Sequence, residues 1–406
     1  MLIRIFTLLV FVVRGIPSQH VSRAEDQKPI VCYYYGWANN RPRPMNYDIG
    51  DIRGNLCTHV NLAFAAIHPE TFQLHSVIPS YADNATRYKE FTSIKEKFVF
   101  VKTLLSVGGW EYGNGVFSEM ARDASYRYRF VKSALVWLRE YGFDGLDISW
   151  QYPGKPDRGG SADDKTNFVL LMKDLHNAFM AEKFLLTTSI PIDPIILQNG
   201  YDVASLSRYV DWFNVFAHDL RGRWTGRADV HSPLKRRPCI DEGYYKTLNA
   251  EDGLKLLTKL GAPKAKLMVG IAFYGRTYVL QDPTVSYLGA PINQHILAKP
   301  GPFVMSSDVL AYYEICMKCK DGTWTRGYDS EGQCPYAYSG DQWVGYEDPE
   351  SVSAKVDFVM DNDYGGVMVF NVDMDDFRGV CGGKHPLLNV IFEKFTERYL
   401  IDPRVG

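Results

Sequence analysis

Residues 143–153 read Phe-Asp-Gly-Leu-Asp-Ile-Ser-Trp-Gln-Tyr-Pro, a short apolar run that carries polar side chains at regular spacing. Side chains alternate along a strand, so Asp147, Ser149 and Gln151 point the same way. Acidic groups in a buried strand need partners and are seldom there for packing alone; this applies to Asp144 as well as Asp147. The stretch therefore predicts a functional site at the carboxyl end of a buried strand.

Seven more apolar or β-rich runs recur along the chain, at 31–35, 58–65, 98–107, 185–190, 210–217, 267–273 and 366–372. Nearly continuous apolar runs are typical of strands buried on both faces of a parallel sheet. Helical periodicity fills several gaps between them, for example at 126–141 and 387–399. Eight strands that alternate with helices predict an α/β protein with a (β/α)₈ barrel, in which sites lie at the carboxyl ends of the strands.

The gap between the last two runs holds roughly ninety residues rich in Gly, Pro, Tyr and Cys. A structureless loop of that length is uncommon in a compact domain, so a small α+β insertion is predicted there. The expected organisation is a signal peptide at 1–24, a barrel at 25–278 and 353–406, and the insertion at 279–352.

The N-terminus has the pattern of an export signal. Arg4 precedes an apolar run at 5–13, which is too short to span a bilayer but suits a signal-peptide core. Ser22 and Ala24 fit a cleavage site, and an earlier cut near Ser18 stays open. The sequence predicts a secreted, extracellular protein without membrane insertion.

Composition narrows the partners further. A formal net charge of −2 gives no reason to expect nucleic acid. Asn84 begins an Asn-Ala-Thr acceptor for N-glycosylation, which export would make usable. An odd count of seven cysteines agrees with an oxidising compartment and leaves one unpaired. The close pair Cys316 and Cys319 lacks the additional ligands of a zinc site, so neither a metal nor a cofactor is expected.

The stretch at 143–153 resembles the signature of family 18 glycoside hydrolases, the chitinases, which reads Asp-Gly-x-Asp-x-Asp-Trp-Glu-Tyr-Pro. The likeness runs from Val31 to about Phe395, and further matching motifs lie at 32–37, 57–59, 102–110, 231–234, 273–276, 310–316, 342–346 and 375–377. The resemblance implies a (β/α)₈ barrel. It also implies disulfides Cys32–Cys57 and Cys316–Cys381, with Cys319–Cys334 as an extra one in the insertion and Cys239 free.

Enzymes of this family use a glutamic acid to protonate the glycosidic oxygen, and the substrate's own N-acetyl carbonyl attacks the anomeric carbon. This chain has Gln151 at the position of the acid and Ser149 at that of the neighbouring aspartate. His218 replaces a tyrosine that binds the N-acetyl oxygen, and Phe370 replaces a tryptophan beneath the cleaved sugar. Because a carboxamide releases no proton near neutral pH, the resemblance predicts a chitinase-like protein that is not an enzyme, of the inactive lectin or imaginal disc growth factor-like type.

The resemblance also implies a ligand groove formed by Tyr34, Trp37, Phe64, Trp110, His218, Asp219, Tyr274, Arg276 and Phe370. Aromatic rings stack on the apolar faces of sugars. For Tyr34 and Phe64 core packing is an equal alternative, and His218 also fits a hydrogen-bonded structural role. The expected ligands are chitin or N-acetylglucosamine oligosaccharides, bound with modest affinity.

A protein receptor is the other expected partner, with the chain acting as a growth-factor-like or immune signalling protein. Two alternatives stay open. One is a residual or altered glycosidase, for which Glu111 is the best outside carboxylate. The other is a scaffold that binds a protein partner and fills its groove with side chains.

Overall fold

The computed structural model describes residues 28–82, 85–113 and 115–401. The strands are β1 (Ile30–Tyr35), β2 (His59–Ile67), β3 (Leu74–Ser76), β4 (Lys102–Gly108), β5 (Gly145–Ser149), β6 (Leu185–Pro191), β7 (Trp212–Phe216), β8 (Leu267–Ala272), β9 (Tyr274–Val279), β10 (Val309–Ala311), β11 (Thr325–Asp329), β12 (Cys334–Ser339), β13 (Gln342–Gly345) and β14 (Gly366–Phe370).

The α-helices are α1 (Pro79–Ala82), α2 (Thr86–Thr92), α3 (Ile94–Lys97), α4 (Gly109–Tyr112), α5 (Gly115–Arg122), α6 (Ala124–Tyr141), α7 (Asp164–Phe179), α8 (Pro194–Gly200), α9 (Val203–Leu206), α10 (Ala250–Lys259), α11 (Tyr312–Lys320), α12 (Pro349–Asp361) and α13 (Pro386–Ile401). No helix within the described ranges has the length and apolar character needed to cross a membrane. The predicted signal peptide at 1–24 and the acceptor Asn84 lie outside the described residues.

Eight parallel strands form a closed barrel in the order β1, β2, β4, β5, β6, β7, β8 and β14, and β14 pairs back onto β1. At the closing seam Ile30 lies opposite Val367, and Cys32 lies opposite Val369. All eight strands fall on the eight predicted apolar runs, and the predicted (β/α)₈ barrel is confirmed. Two apolar clusters explain the continuous runs, because one fills the barrel interior and the other packs the outer strand faces against the helices.

Local sequence sets where the helices begin and end. The Asp123 carboxylate accepts hydrogen bonds from the backbone N–H groups of Ser125 and Tyr126 at the start of α6. Gly142 ends that helix with φ of 74°, a conformation that suits glycine. This cap fixes the turn that leads directly into β5, and so sets the position of the polar stretch that follows.

A second sheet follows the seventh barrel strand. It is antiparallel, with the order β10, β9, β13, β12 and β11, and α11 lies between its second and third strands in sequence. Its first strand, β9, begins at Tyr274, five residues before the boundary expected at 279. The early start matters because β9 carries Tyr274 and Arg276 to the barrel mouth. The division of the chain at 279 and 352 stays a proposal.

The structure contains the disulfides Cys32–Cys57 and Cys316–Cys381. The expected Cys319–Cys334 bond is wrong, since both residues are free thiols. Cys334 is fully buried and its Sγ donates to the Ser232 carbonyl over 3.3 Å. Cys319 is half-buried on α11, and its thiol instead contacts Tyr346. Cys239 is free and exposed, as expected.

Candidate functional site

Asp147 lies in the barrel interior at the middle of β5. Its carboxylate accepts hydrogen bonds from Tyr33 Oη (2.6 Å), Ser106 Oγ (2.6 Å), Thr187 Oγ1 (2.7 Å) and Asn214 Nδ2 (3.0 Å). These partners come from β1, β4, β6 and β7. Burial raises the pKa of Asp147, and the four donors oppose that rise. A carboxyl group held by four strands is a fixed support beneath the mouth.

Ser149 and Gln151 follow on the same face, one and two steps closer to the mouth. Gln151 Nε2 donates to Ser149 Oγ over 3.2 Å, and Ser189 Oγ lies 3.1 Å from the same oxygen. Ser149 is fully buried and Gln151 is 7% exposed. The amide therefore reaches the mouth, where it offers hydrogen-bond donors but no proton that can transfer near neutral pH.

Asp144, expected with these residues, does not join them. It precedes Gly145, the first residue of β5, so it lies at the opposite end of the strand. Its carboxylate accepts from the Thr103 backbone N–H (2.8 Å) and from Lys95 Nζ (3.0 Å). Asp144 therefore ties the base of the barrel together and takes no part in the mouth.

A charged network occupies the mouth beside β7. Asp219 accepts from Tyr274 Oη (2.7 Å) and from two nitrogens of Arg276 (2.7 Å each), and His231 Nδ1 lies 3.3 Å away. Burial would raise the pKa of Asp219, but Arg276 and His231 hold it well below its ordinary value. The structure thus brings together Asp219, Tyr274 and Arg276 around an ionised carboxylate that is one-third exposed.

Aromatic rings line the mouth next to this network. Tyr35 contacts Trp37 (ring centroids 5.1 Å apart), Phe64 (5.8 Å) and Phe370 (6.3 Å). Tyr35, Trp37 and Phe370 are half-buried, whereas Phe64 is only 3% exposed. We call Tyr35, Trp37, Phe64 and Phe370 the ring cluster. Three of its members present a face or edge to solvent, and Phe64 supports them from below.

Tyr34 is not part of this surface. Its ring stacks on Phe91 of α2 and contacts Tyr47, between the barrel and its outer layer. Its expected ligand role is wrong because alternation along β1 turns Tyr33 and Tyr35 inward and Tyr34 outward. Tyr35 is the ring that the sequence reading missed, and the period of two along β1 is the signal that could have found it.

His218 lies below Phe370, with ring centroids 5.7 Å apart and planes 22° apart. Within the described ranges its Nδ1 has no hydrogen-bond partner. Burial lowers the pKa of His218 to about 4, although the charge of Asp219 acts in the opposite direction. The ring is therefore neutral at neutral pH and its buried Nδ1 is uncharged, and both the ligand role and the structural role of His218 stay predictions.

Trp110 lies at the opposite rim, on α4, and is 53% exposed. The guanidinium of Arg158 covers one face of its ring at 3.9 Å from the centroid. Arg158 also donates to the carbonyls of Trp110 and Gln151. Next to Trp110, Glu111 is exposed. Burial raises the pKa of Tyr35 to about 12, and the charges of Asp373 and Glu111 contribute to that rise. Glu111 is therefore close enough to the ring cluster for its charge to act on Tyr35.

A cavity of about 370 Å³ extends the mouth past Arg276. Its lining includes Trp224, Gln294, His295 and Asp308. Trp224 is 58% exposed and was not identified from the sequence. Its place in the same loop as Asp219, five residues further on, was the available signal.

Comparison with known proteins agrees with this geometry. Glycosyl hydrolases family 18 matches residues 29–375. An endochitinase of Manduca sexta is 40% identical over 387 residues, which cover 94% of this chain and 70% of that protein.

Two solved structures are also similar. A group IV chitinase of Ostrinia furnacalis has a TM-score of 0.87 at 34% identity, covering 91% of this chain and all of that chain. Its complex with allosamidin has the same TM-score. Human YKL-39, described as a pseudo-chitinase with retained chitooligosaccharide binding, has a TM-score of 0.83 at 31% identity, again covering 91% of this chain and all of that chain.

These findings contradict the expectation that the chain is not an enzyme. The expectation rested on two residues, Gln151 and Ser149. The similar proteins from Manduca and Ostrinia, whose matches cover 94% and 91% of this chain, are named chitinases. Nor do the comparisons assign an inactive lectin or growth-factor-like subtype. What the matched length and the barrel architecture establish is the family: the chain belongs to the glycosyl hydrolases of family 18.

Proposed function

We propose that the barrel mouth binds oligosaccharides of N-acetylglucosamine. The observation that carries the proposal is the contact between Phe370 of the ring cluster and His218, because the residue that follows His218 is the ionised Asp219. Pyranose rings have apolar faces that stack on aromatic side chains, while their hydroxyl and acetamido groups need hydrogen-bond partners. The mouth supplies both kinds of contact within one surface.

The polar partners divide by what they can do. Asp219 is an acceptor held in place by Arg276 and Tyr274, so it can receive a sugar N–H or O–H without moving. Gln151 is a donor to a sugar oxygen. Trp224 and the cavity beside Arg276 would let the bound chain extend beyond the ring cluster. The Ostrinia complex with allosamidin and the oligosaccharide binding described for YKL-39 support this ligand class.

Hydrolysis of chitin oligosaccharides is the second candidate, favoured by the chitinases among the relatives. Cleavage needs a proton for the leaving glycosidic oxygen. Gln151 can polarise that oxygen through a hydrogen bond but cannot protonate it. Glu111 is an exposed carboxyl group whose charge acts on Tyr35 of the ring cluster, so we assign it the acid role in cleavage.

Export from the cell, glycosylation at Asn84 and action through a protein receptor are further proposals that rest on the sequence. They are independent of the ligand.

The test is a calorimetric titration of the full-length protein with N-acetylglucosamine oligomers, run beside a cleavage assay on the same oligomers. Saturable binding that Tyr35→Leu weakens supports the proposal. At about 1 mM oligomer, even a binding free energy of about 4 kcal/mol would be detected, so the absence of binding at that concentration refutes the proposal. Turnover that Glu111→Gln abolishes while binding persists supports the second candidate, and turnover unaffected by Glu111→Gln refutes the assignment of the acid.

A further inference from the structure

Lys355 of α12 and Cys334 of β12 meet in the interior. Lys355 Nζ lies 3.4 Å from Cys334 Sγ. The lysine side chain is 3% exposed and the cysteine is fully buried. Glu347 completes what we call the Lys–Cys cluster, because its Oε1 accepts a hydrogen bond from Lys355 Nζ and lies 4.0 Å from Cys334 Sγ.

Every polar group of this cluster has a defined partner. Glu347 also accepts from Ser351 Oγ over 2.6 Å and from Ser232 Oγ. The Cys334 thiol donates to the Ser232 carbonyl over 3.3 Å. The sulfur is therefore held with its lone pairs toward the lysine, and the nitrogen is held toward the sulfur. A buried lysine paired with a carboxylate does not require a thiol beside it.

Disulfide exchange is not open to this thiol. Burial raises the pKa of Cys334 to about 12, so the reactive thiolate does not form near neutral pH. Cys319 of α11 is the free cysteine nearest to Cys334 in sequence, but its thiol contacts Tyr346 instead. The group that Cys334 does touch is an amine.

We propose that Cys334 and Lys355 form a covalent Nζ–O–Sγ bridge when the folded protein meets dioxygen. Glu347 first takes one proton from the lysine ammonium, which leaves a neutral amine. One N–H bond and the S–H bond then break, and an N–O and an O–S bond form. Nitrogen and sulfur together give up four electrons to dioxygen. One oxygen atom stays in the bridge and the other leaves as water with the two hydrogen atoms.

The bridge would act as a redox-dependent clamp. Cys334 belongs to the second sheet and Lys355 to a helix packed on the barrel, so the bond would fix one to the other. The present separation is only a little longer than one bridging oxygen spans, and the flexible lysine chain can close it by a small rotation.

Mass spectrometry of the purified full-length protein tests the proposal. Cys334 and Lys355 lie in one tryptic peptide, residues 327–355, so trypsin is combined with a glutamate-specific protease that cuts after Glu347 and Glu350. After exposure to air, the expected product is a cross-linked pair heavier than its two peptides by one oxygen atom less two hydrogen atoms. Isotopically heavy dioxygen should label it, heavy water should not, and cleavage after Lys355 should be lost.

Recovery of Cys334 as a free thiol after air exposure would overturn the proposal, and so would its recovery in a disulfide with Cys319. Cys334→Ser should give no cross-link, and Cys239→Ser, at an exposed free cysteine, should leave it unchanged. Air exposure should raise the melting temperature of the parent protein by roughly 5 °C and leave that of Cys334→Ser unaltered. The peptide readout does not need the serine variant to fold.

Discussion

Gln151 Nε2 and Ser149 Oγ are joined by a 3.2 Å hydrogen bond at the carboxyl end of β5, directly above the buried carboxylate of Asp147. The three side chains form a ladder from the core to the mouth, and its two upper steps are neutral. A carboxyl group at 151 would stand where solvent and ligand meet, since Gln151 is the member of the ladder that reaches the surface.

Restoring two acids on this ladder should increase cleavage. Ser149→Asp with Gln151→Glu is expected to raise the rate of chitin oligosaccharide hydrolysis by about 10²–10⁴-fold, because it supplies a general acid. Chromatography of the products measures the rate. Ser149→Asp alone is the matched control and should change the rate by less than about tenfold. An unchanged rate in the double variant would mean that no scissile bond lies near 151.

The ring cluster can be tested against its outward-facing neighbour. Tyr35→Leu keeps apolar bulk but removes the flat ring, so oligosaccharide affinity should fall about tenfold. Tyr34→Phe is the matched control, because the ring of Tyr34 packs on Phe91 outside the barrel. Its affinity should equal that of the parent protein. Equal loss in both variants would place the sugars elsewhere.

Breaking the pair between Arg276 and Asp219 should affect both binding and stability. Arg276→Met removes both nitrogens that donate to the Asp219 carboxylate, and is expected to lower oligosaccharide affinity more than tenfold and the free energy of unfolding by about 2 kcal/mol. Arg276→Lys keeps the positive charge but cannot donate to both carboxylate oxygens at once. Its affinity and its free energy of unfolding should lie between those of the parent protein and of Arg276→Met. Calorimetry and urea unfolding report the two effects. Full affinity in Arg276→Met would remove Asp219 from the binding surface.

His218 should make stability depend on pH between about 4 and 6.5. Its folded-state pKa of about 4 lies below the ordinary value of 6.5, so the unfolded chain takes up the proton first as the pH falls. The stability that the neutral ring contributes is complete above pH 6.5 and is lost as the pH falls to about 4.

His218→Phe should therefore lose less stability over that range than the parent protein, by up to about 3 kcal/mol. Urea unfolding at several pH values gives the difference. His385, whose pKa is also lowered to about 4 by burial, is present in both proteins and cancels in the comparison. Parallel pH profiles for the two proteins would show that His218 titrates normally.

The barrel could be predicted because each strand falls in a mostly apolar run that is long enough to stand out. The same property hid the orientation of β1. Its residues are apolar or aromatic at every position, so hydrophobicity alone does not tell which of Tyr34 and Tyr35 faces inward. Asp144 was misplaced because it was grouped with Asp147 by sequence proximity, although it precedes β5 and lies three residues from Asp147, where alternation predicts the opposite face.

The positions of loop residues and the pairing of cysteines could not be predicted from the sequence. Trp224 follows no period, and its place beside Arg276 depends on the path of one loop. Cys319 and Cys334 are suitably spaced in sequence for a bond, yet the direction of each side chain decides pairing, and Cys334 turns into the core toward Lys355. The number of residues between two cysteines does not tell in which direction each side chain points.

The pairing of β14 with β1 also affects how the protein can be made. Ile30 and Val367 are neighbours in the barrel but are separated by most of the polypeptide. During synthesis one edge of β1 stays unpaired until β14 has emerged. Unpaired strand edges form hydrogen bonds with other chains and so promote aggregation. We expect the nascent protein to depend on chaperones over that interval, and to gain its ring cluster and its charged network only after translation is nearly complete.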